Sequence, residues 1–139
     1  MPIRFVTPLV AFALVIASCG APEAAPSGSQ VVAELSDYKI AVNVSSVKAG
    51  RIKIGVRNVA SMEHSFEVLK TDLAHDKLPV DGASAKAREE GKVGEIRSIP
   101  AGKSDAVTLD LVAGKYVLMC NVAGHYQLGM HIGFTVEPP

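Results

Sequence analysis

Apolar and polar residues alternate one by one through six stretches of this chain, and that period of two constrains the fold most. Successive side chains of a strand point to opposite faces, so strict alternation describes sheets with one face buried. Tyr38, Ile40, Val42 and Val44 share one side, with Asp37, Lys39 and Asn43 on the other. Ile52, Ile54 and Val56 alternate with Arg51, Lys53 and Arg57, after a turn at Lys48–Gly50. His64, Phe66 and Val68 interleave with Ser65 and Glu67, and Val107, Leu109 and Leu111 with Thr108 and Asp110. A hairpin turn over Val112–Lys115 leads into Tyr116, Leu118 and Cys120, and Ile132, Phe134 and Val136 close the series. The stretch Thr71–Gly91 has another texture, rich in Asp, Lys, Ala and Glu. Within it Ser84–Glu90 predicts a short helix, ended by Gly91. Short strands separated by Gly and Pro turns, with one late insertion, predict an all-β Greek-key β-sandwich carrying one short helix.

Strand parity also selects side chains for chemistry. His64 has the parity of Phe66 and Val68, and Cys120 that of Tyr116 and Leu118, so both point inward. Met130 shares parity with Ile132, whereas its neighbour His131 falls on the polar face. Cys120, His125 and Met130 follow one another at five-residue intervals. With 4 His and 4 Met in 139 residues, a given Cys meets that pattern by chance about once in a thousand. A thiolate and imidazoles bind copper strongly, soft sulfur favours Cu(I), and a distant thioether leaves the geometry between the preferences of the two oxidation states. His64 is the candidate for the missing second imidazole. Singly, each residue has a plainer role as hydrogen-bonded core His, core filler or inert buried thiol. His75, amid Leu73–Lys77, reads as solvated surface.

The beginning of the chain reads as an address. Arg4 precedes an apolar run from Leu9 to Ala17, far short of the roughly 20 residues that span a bilayer. Residues 1–18 therefore read as a secretory signal peptide. Ile16-Ala17-Ser18-Cys19 resembles the lipobox of bacterial lipoproteins, which implies lipidation of Cys19. Residues 19–30, rich in Ala, Pro, Ser and Gly, then form a flexible tether, whose last eleven residues reach about 35 Å when extended. One domain occupies 31–139. Lys and Arg total 14 and Asp and Glu 14. With no basic cluster, nucleic-acid binding is excluded. Once Cys19 is lipidated, Cys120 is the domain's lone thiol in an oxidising compartment, where a ligating role is the natural one.

These residues bring the chain close to a family. It resembles the cupredoxins, the small type 1 blue copper proteins, and Cys120-x4-His125-x4-Met130 with Gly before both His125 and Met130 looks most like the sulfocyanin and rusticyanin group. The resemblance implies a trigonal plane of His64, Cys120 and His125 around one copper ion, with Met130 as the weak axial ligand. Two positions depart from the family pattern. Ser65 stands where many members have Asn, although its backbone N–H can still donate to the Cys120 sulfur. Ala123 stands where many have Pro, which offers a further N–H near the thiolate.

The expected function is single-electron transfer between redox proteins of an electron-transport chain. The expected place is the periplasm or the outer face of the cytoplasmic membrane, with the lipid as anchor and the protein a monomer. Docking would use an apolar patch of Met62, Val122, Ala123, Leu128 and Gly129 around His125. No enzyme is expected. A copper oxidase or nitrite reductase domain needs a His beside its Cys ligand, and Cys120 is flanked by Met119 and Asn121. The alternative is a copper chaperone or store, which would expose clustered Met or His, and the four Met here do not cluster.

Overall fold

The computed structural model describes Met1 and residues 20–139, so the signal peptide and Cys19 lie outside the described residues. Eleven strands follow in order: β1 Val31–Ser36, β2 Lys39–Val42, β3 Ser46–Lys48, β4 Gly50–Asn58, β5 His64–Lys70, β6 Val80–Asp81, β7 Lys86–Ala87, β8 Lys92–Ile99, β9 Ser104–Leu111, β10 Gly114–Met119 and β11 His131–Glu137. They build two facing sheets, β2-β1-β4-β9 and β3-β11-β10-β5-β8, with β6-β7 as a small separate hairpin. Most pairings are antiparallel, but β1 runs parallel to β4 and β3 parallel to β11. The expected all-β sandwich is therefore present.

The core lies between the sheets, where alternation places it. Val31, Ala33 and Leu35 of β1 join Ile52, Ile54 and Val56 of β4 against Phe66, Val68, Tyr116, Leu118, Phe134 and Val136 of the opposite sheet. Burying a Val, Leu, Ile or Phe side chain contributes roughly 1.5–3 kcal/mol, and this one cluster supplies most of such burial. Cys120 and Met130 belong to the same cluster at one end of the sandwich.

A second cluster explains why β5 and β10 are buried on both faces. Leu69, Val117, Met119 and Tyr126 pack with Leu78 and Ala87 of the insertion, which lies over the outside of the five-stranded sheet. The outward residues Ser65, Glu67 and Leu69 are buried as a result.

The insertion carries no helix, which corrects the expectation for Ser84–Glu90: the described residues contain none. Helix propensity there is overridden by three local bonds and a contact. The Asp81 carboxylate accepts from the backbone N–H groups of Ala83 and Ser84 and from the Ser84 hydroxyl, closing a turn. Ala85 sits at φ 53, in the left-handed region that a helix excludes. Ala87 then gives its N–H and C=O to the Asn121 side chain, which holds this segment extended.

Five strands escaped the period-two reading: the short β3, β6 and β7, and the longer β1 and β8. In β8 the buried residues Ile96 and Ile99 are three apart, because the pairing with β5 shifts register between His64 and Phe66. A bulge of this kind breaks the alternation that announces a strand. β1 does alternate, but it follows the Pro- and Ser-rich segment directly. Tyr38 and Val44, read as inward, are exposed instead, and Tyr38 occupies the β1–β2 turn at φ 58.

Gly91 has a different job from ending a helix. It enters β8 at φ 80, and a Cβ there would lie 2.2 Å from the Lys70 carbonyl oxygen. Gly91→Ala is expected to cost about 2 kcal/mol or more in urea unfolding. Gly82→Ala, where a Cβ would meet nothing within 4 Å, should cost little; equal costs would refute this reading of Gly91.

Candidate metal centre

The site forms where β5 begins and β10 ends. Antiparallel pairing sets Val68 opposite Leu118 and Glu67 opposite Met119. One step further on, this pairing lays the start of β5 beside Cys120. His64 reaches the same point from a loop organised by Asn58, whose side-chain amide donates to the carbonyls of Met62 and Ile99 while its oxygen accepts from the Ala60 N–H.

The third donor comes from the loop between β10 and β11. Val122 accepts from the His125 N–H, Gly124 from Leu128 and Tyr126 from Gly129, so the loop winds as a chain of tight turns. Gly124 at φ 83 and Gly129 at φ 100 allow these turns, in a region where L side chains are strained. The loop is closed at its neck, where Met130 receives the Cys120 N–H and donates its own N–H to His125.

These elements bring three donors together, and all three residues are buried. His64 Nδ1 lies 3.2 Å from His125 Nδ1. Cys120 Sγ lies 3.4 Å from His125 Nδ1 and 3.8 Å from His64 Nδ1. With metal bonds of about 2.0–2.1 Å to nitrogen and about 2.3 Å to sulfur, one ion can reach all three atoms. Burial pushes both imidazoles below the ordinary His pKa, for His64 with added repulsion from His125, so the rings favour the neutral form that ligates. His64 Nε2 is buried without a hydrogen-bond partner. Met130 is fully buried in the same core cluster. One thiolate, two imidazoles and a nearby thioether fit a single copper ion by their chemistry.

The expectation for Ser65 holds: its backbone N–H donates to Cys120 Sγ at 3.4 Å. Its hydroxyl lies 3.7 Å from the same sulfur and accepts the Asn121 N–H at 2.9 Å. Ser65 thus ties both sides of the thiolate in place. Ala123, expected as a further donor, is exposed, and the sulfur's backbone donor is Ser65 instead. His131 lies off the triad, as parity predicts. His75 is exposed as expected, but it is not isolated, since its ring meets His131.

Sequence reasoning missed three contributors. Tyr38 stands edge-on to His125 with ring centroids 5.2 Å apart. Asn121 fixes the ligand loop to the insertion by bonding Ala87 and the Glu89 carboxylate. Its place directly after the Cys was the available signal, because a buried amide must find partners. Glu67 is the third. It is 5% exposed, its Oε2 has no partner, and burial followed by the Glu89 charge raises its pKa to about 7.

That raised value has a stability consequence. An unfolded Glu ionises near its ordinary value of 4.5 while the folded one holds its proton to about 7. The stability due to this group is therefore present at low pH and lost as pH rises between those values. In thermal unfolding, the Tm of Glu67→Gln minus that of the native protein should grow from pH 5 to pH 7. A constant difference would contradict the assignment.

Solved structures with this fold support the architecture. Sodium-dithionite-reduced auracyanin from the photosynthetic bacterium Roseiflexus castenholzii superposes with TM-score 0.58 at 19% identity, over 80% of this chain and 100% of that one. Rusticyanin from Thiobacillus ferrooxidans gives TM-score 0.60 at 19% identity, over 77% of this chain and 75% of that one. Auracyanin B gives 0.56 at 18% identity, over 85% and 95%. At such identities the likeness establishes the sandwich fold. No family model matches the sequence, and no curated protein matches it.

Proposed function

We propose that this protein is a type 1 copper electron carrier, with His64, Cys120 and His125 as strong ligands and Met130 as the weak axial one. The observation that carries this is the convergence of Cys120 Sγ with two imidazole Nδ1 atoms at 3.4 and 3.8 Å. Copper bound there would supply a one-electron couple. The protein's part is to resist rearrangement. Asn58 sets the approach of His64, Ser65 holds the thiolate by its N–H, and the closed neck at Cys120 and Met130 keeps the loop from spreading. N–H donation to the sulfur favours the electron-rich thiolate and raises the potential.

His125 is the exit for the electron. His125 is 8% exposed, whereas His64 is fully buried. Tyr38 stands edge-on to His125; Leu128, 60% exposed, and Ala123 belong to the same loop as His125, and Met62 and Val122 are half-buried. An apolar rim of this kind suits brief docking of redox proteins. Leu128→Lys should slow electron exchange with such partners and leave the copper spectrum unchanged. Unchanged exchange would place docking elsewhere.

Burial also weighs against the alternative of a copper chaperone or store. His64, Cys120 and Met130 are each 0% exposed, and a cargo site has to hand its ion over. Cu(II) bound to the native chain should give an intense visible absorption that Cys120→Ser abolishes while the fold persists. A colourless Cu(II) complex of the native chain would end the electron-carrier reading.

Export and lipidation of Cys19 complete the proposal, placing the protein at the outer face of the cytoplasmic membrane or in the periplasm. The segment expected as a leash is held against the domain from Glu23 onward. The Glu23 N–H donates to the Gly102 carbonyl, its carboxylate pairs with Lys103 at 2.8 Å, and Gln30 bonds the backbone of Arg51 and Lys53. Gly102 lies beside Asn58, at the metal end of the sandwich. The stretch from Cys19 to Glu23 covers about 13 Å when extended, so a lipid at Cys19 would keep that end close to the bilayer. Membrane-bound redox proteins are then the natural partners. Mass spectrometry of the exported protein should find the lipid on Cys19; an unmodified Cys19 would remove the anchor.

A further inference from the structure

The geometry points to a second metal site, in which His75 and His131 together take an exchangeable Cu(II) ion. The Nδ1 atoms of these two rings face each other at 2.8 Å, with ring centroids 4.9 Å apart. Two imidazole lone pairs do not rest at that distance by themselves. Either a proton sits between them or a cation accepts from both.

The distance is also compatible with a tetragonal ion. At metal–nitrogen bonds of about 2.0 Å, a separation of 2.8 Å subtends about 90° at the metal. That is the cis angle of a tetragonal ion, whereas tetrahedral zinc would hold its ligand nitrogens about 3.3 Å apart. Cu(II) prefers tetragonal nitrogen and oxygen sites and heads the divalent affinity order. Water would complete its coordination, since His75 is exposed and His131 half-buried.

The pair is held from two sides rather than formed by chance contact of mobile rings. The Tyr126 hydroxyl donates to the His75 carbonyl at 2.7 Å and accepts the Leu78 N–H, which anchors the loop that carries His75. The Tyr126 ring packs against His131 with centroids 4.6 Å apart. On the other side His75 lies over Gly133, where a Cβ would come within 3.4 Å of its ring. Backbone pairing of His131 with Met119 fixes the second ligand. Asp76, next to His75, is near enough to act electrostatically on both rings, and its negative charge, shared with Lys77 at 3.2 Å, favours a bound cation.

This site is independent of the copper reading given above, because neither ring belongs to the buried triad. The test is titration of the full chain, with its buried site already filled by one equivalent of copper. A second equivalent of Cu(II) should bind at micromolar free metal and add a tetragonal electron paramagnetic resonance signal, leaving the visible absorption unchanged. Zn(II) should compete weakly. His75→Ala and His131→Gln should each weaken the second equivalent by about tenfold or more, the loss of one of two protein ligands. The same second-site signal should persist in Cys120→Ser, which separates a failure here from a failure of the thiolate site. Absence of a second equivalent in the native chain, or one indifferent to both His substitutions, would mean that the rings share only a hydrogen bond.

Discussion

The pairing of β5 with β10 is the constraint on which the rest of the structure depends. Register sets Glu67 opposite Met119, so the chain immediately before Glu67 comes alongside the chain immediately after Met119. His64 and Cys120, 56 residues apart in sequence, are thereby neighbours. The pairing is buried on both faces, between the main core and the smaller cluster of Leu69, Met119 and Tyr126. Backbone hydrogen bonds in such an environment are costly to break, because the freed groups would find no water. The metal end is consequently as rigid as the sheet that supports it.

The insertion between β5 and β8 serves that rigidity. It supplies Leu78 and Ala87 to the outer cluster and presents its backbone to Asn121. Asn121 in turn donates its N–H to Ser65, which donates to the Cys120 sulfur. A loop that looks like surface decoration in sequence is thus connected through two side chains to the thiolate. The same layer creates the polar pocket in which Glu67 faces Glu89, Lys92 and Glu95, with Arg97 and Lys86 lining it. Lys92 compensates much of the negative charge by bonding both Glu89 and Glu95. Glu67 holds its proton because burial disfavours its charged form and the neighbouring Glu89 charge adds to that.

Period two was enough to read the sandwich, and parity was enough to separate Met130 from His131. Both follow from side chains alternating across a strand, which needs no tertiary information. The reading failed where tertiary contacts override local preference. Ser84–Glu90 has helical composition, yet Asp81 and Asn121 claim its backbone. β8 hid behind a bulge that spaces Ile96 and Ile99 by three. Tyr38 looked inward by alternation, but a turn at positive φ swings it toward His125. The meeting of His75 with His131 was invisible for the same reason, since it depends on how the insertion folds back over β11.

The central claim is that the folded chain holds two imidazoles and one thiolate in a geometry that suits both oxidation states of copper. X-ray absorption at the copper edge, recorded on the oxidised and the reduced protein, tests this most directly. The account predicts one short copper–sulfur and two copper–nitrogen bonds in both states, with lengths almost unaltered by reduction. Loss of a nitrogen ligand on reduction, or a copper shell without the short sulfur bond, would contradict it.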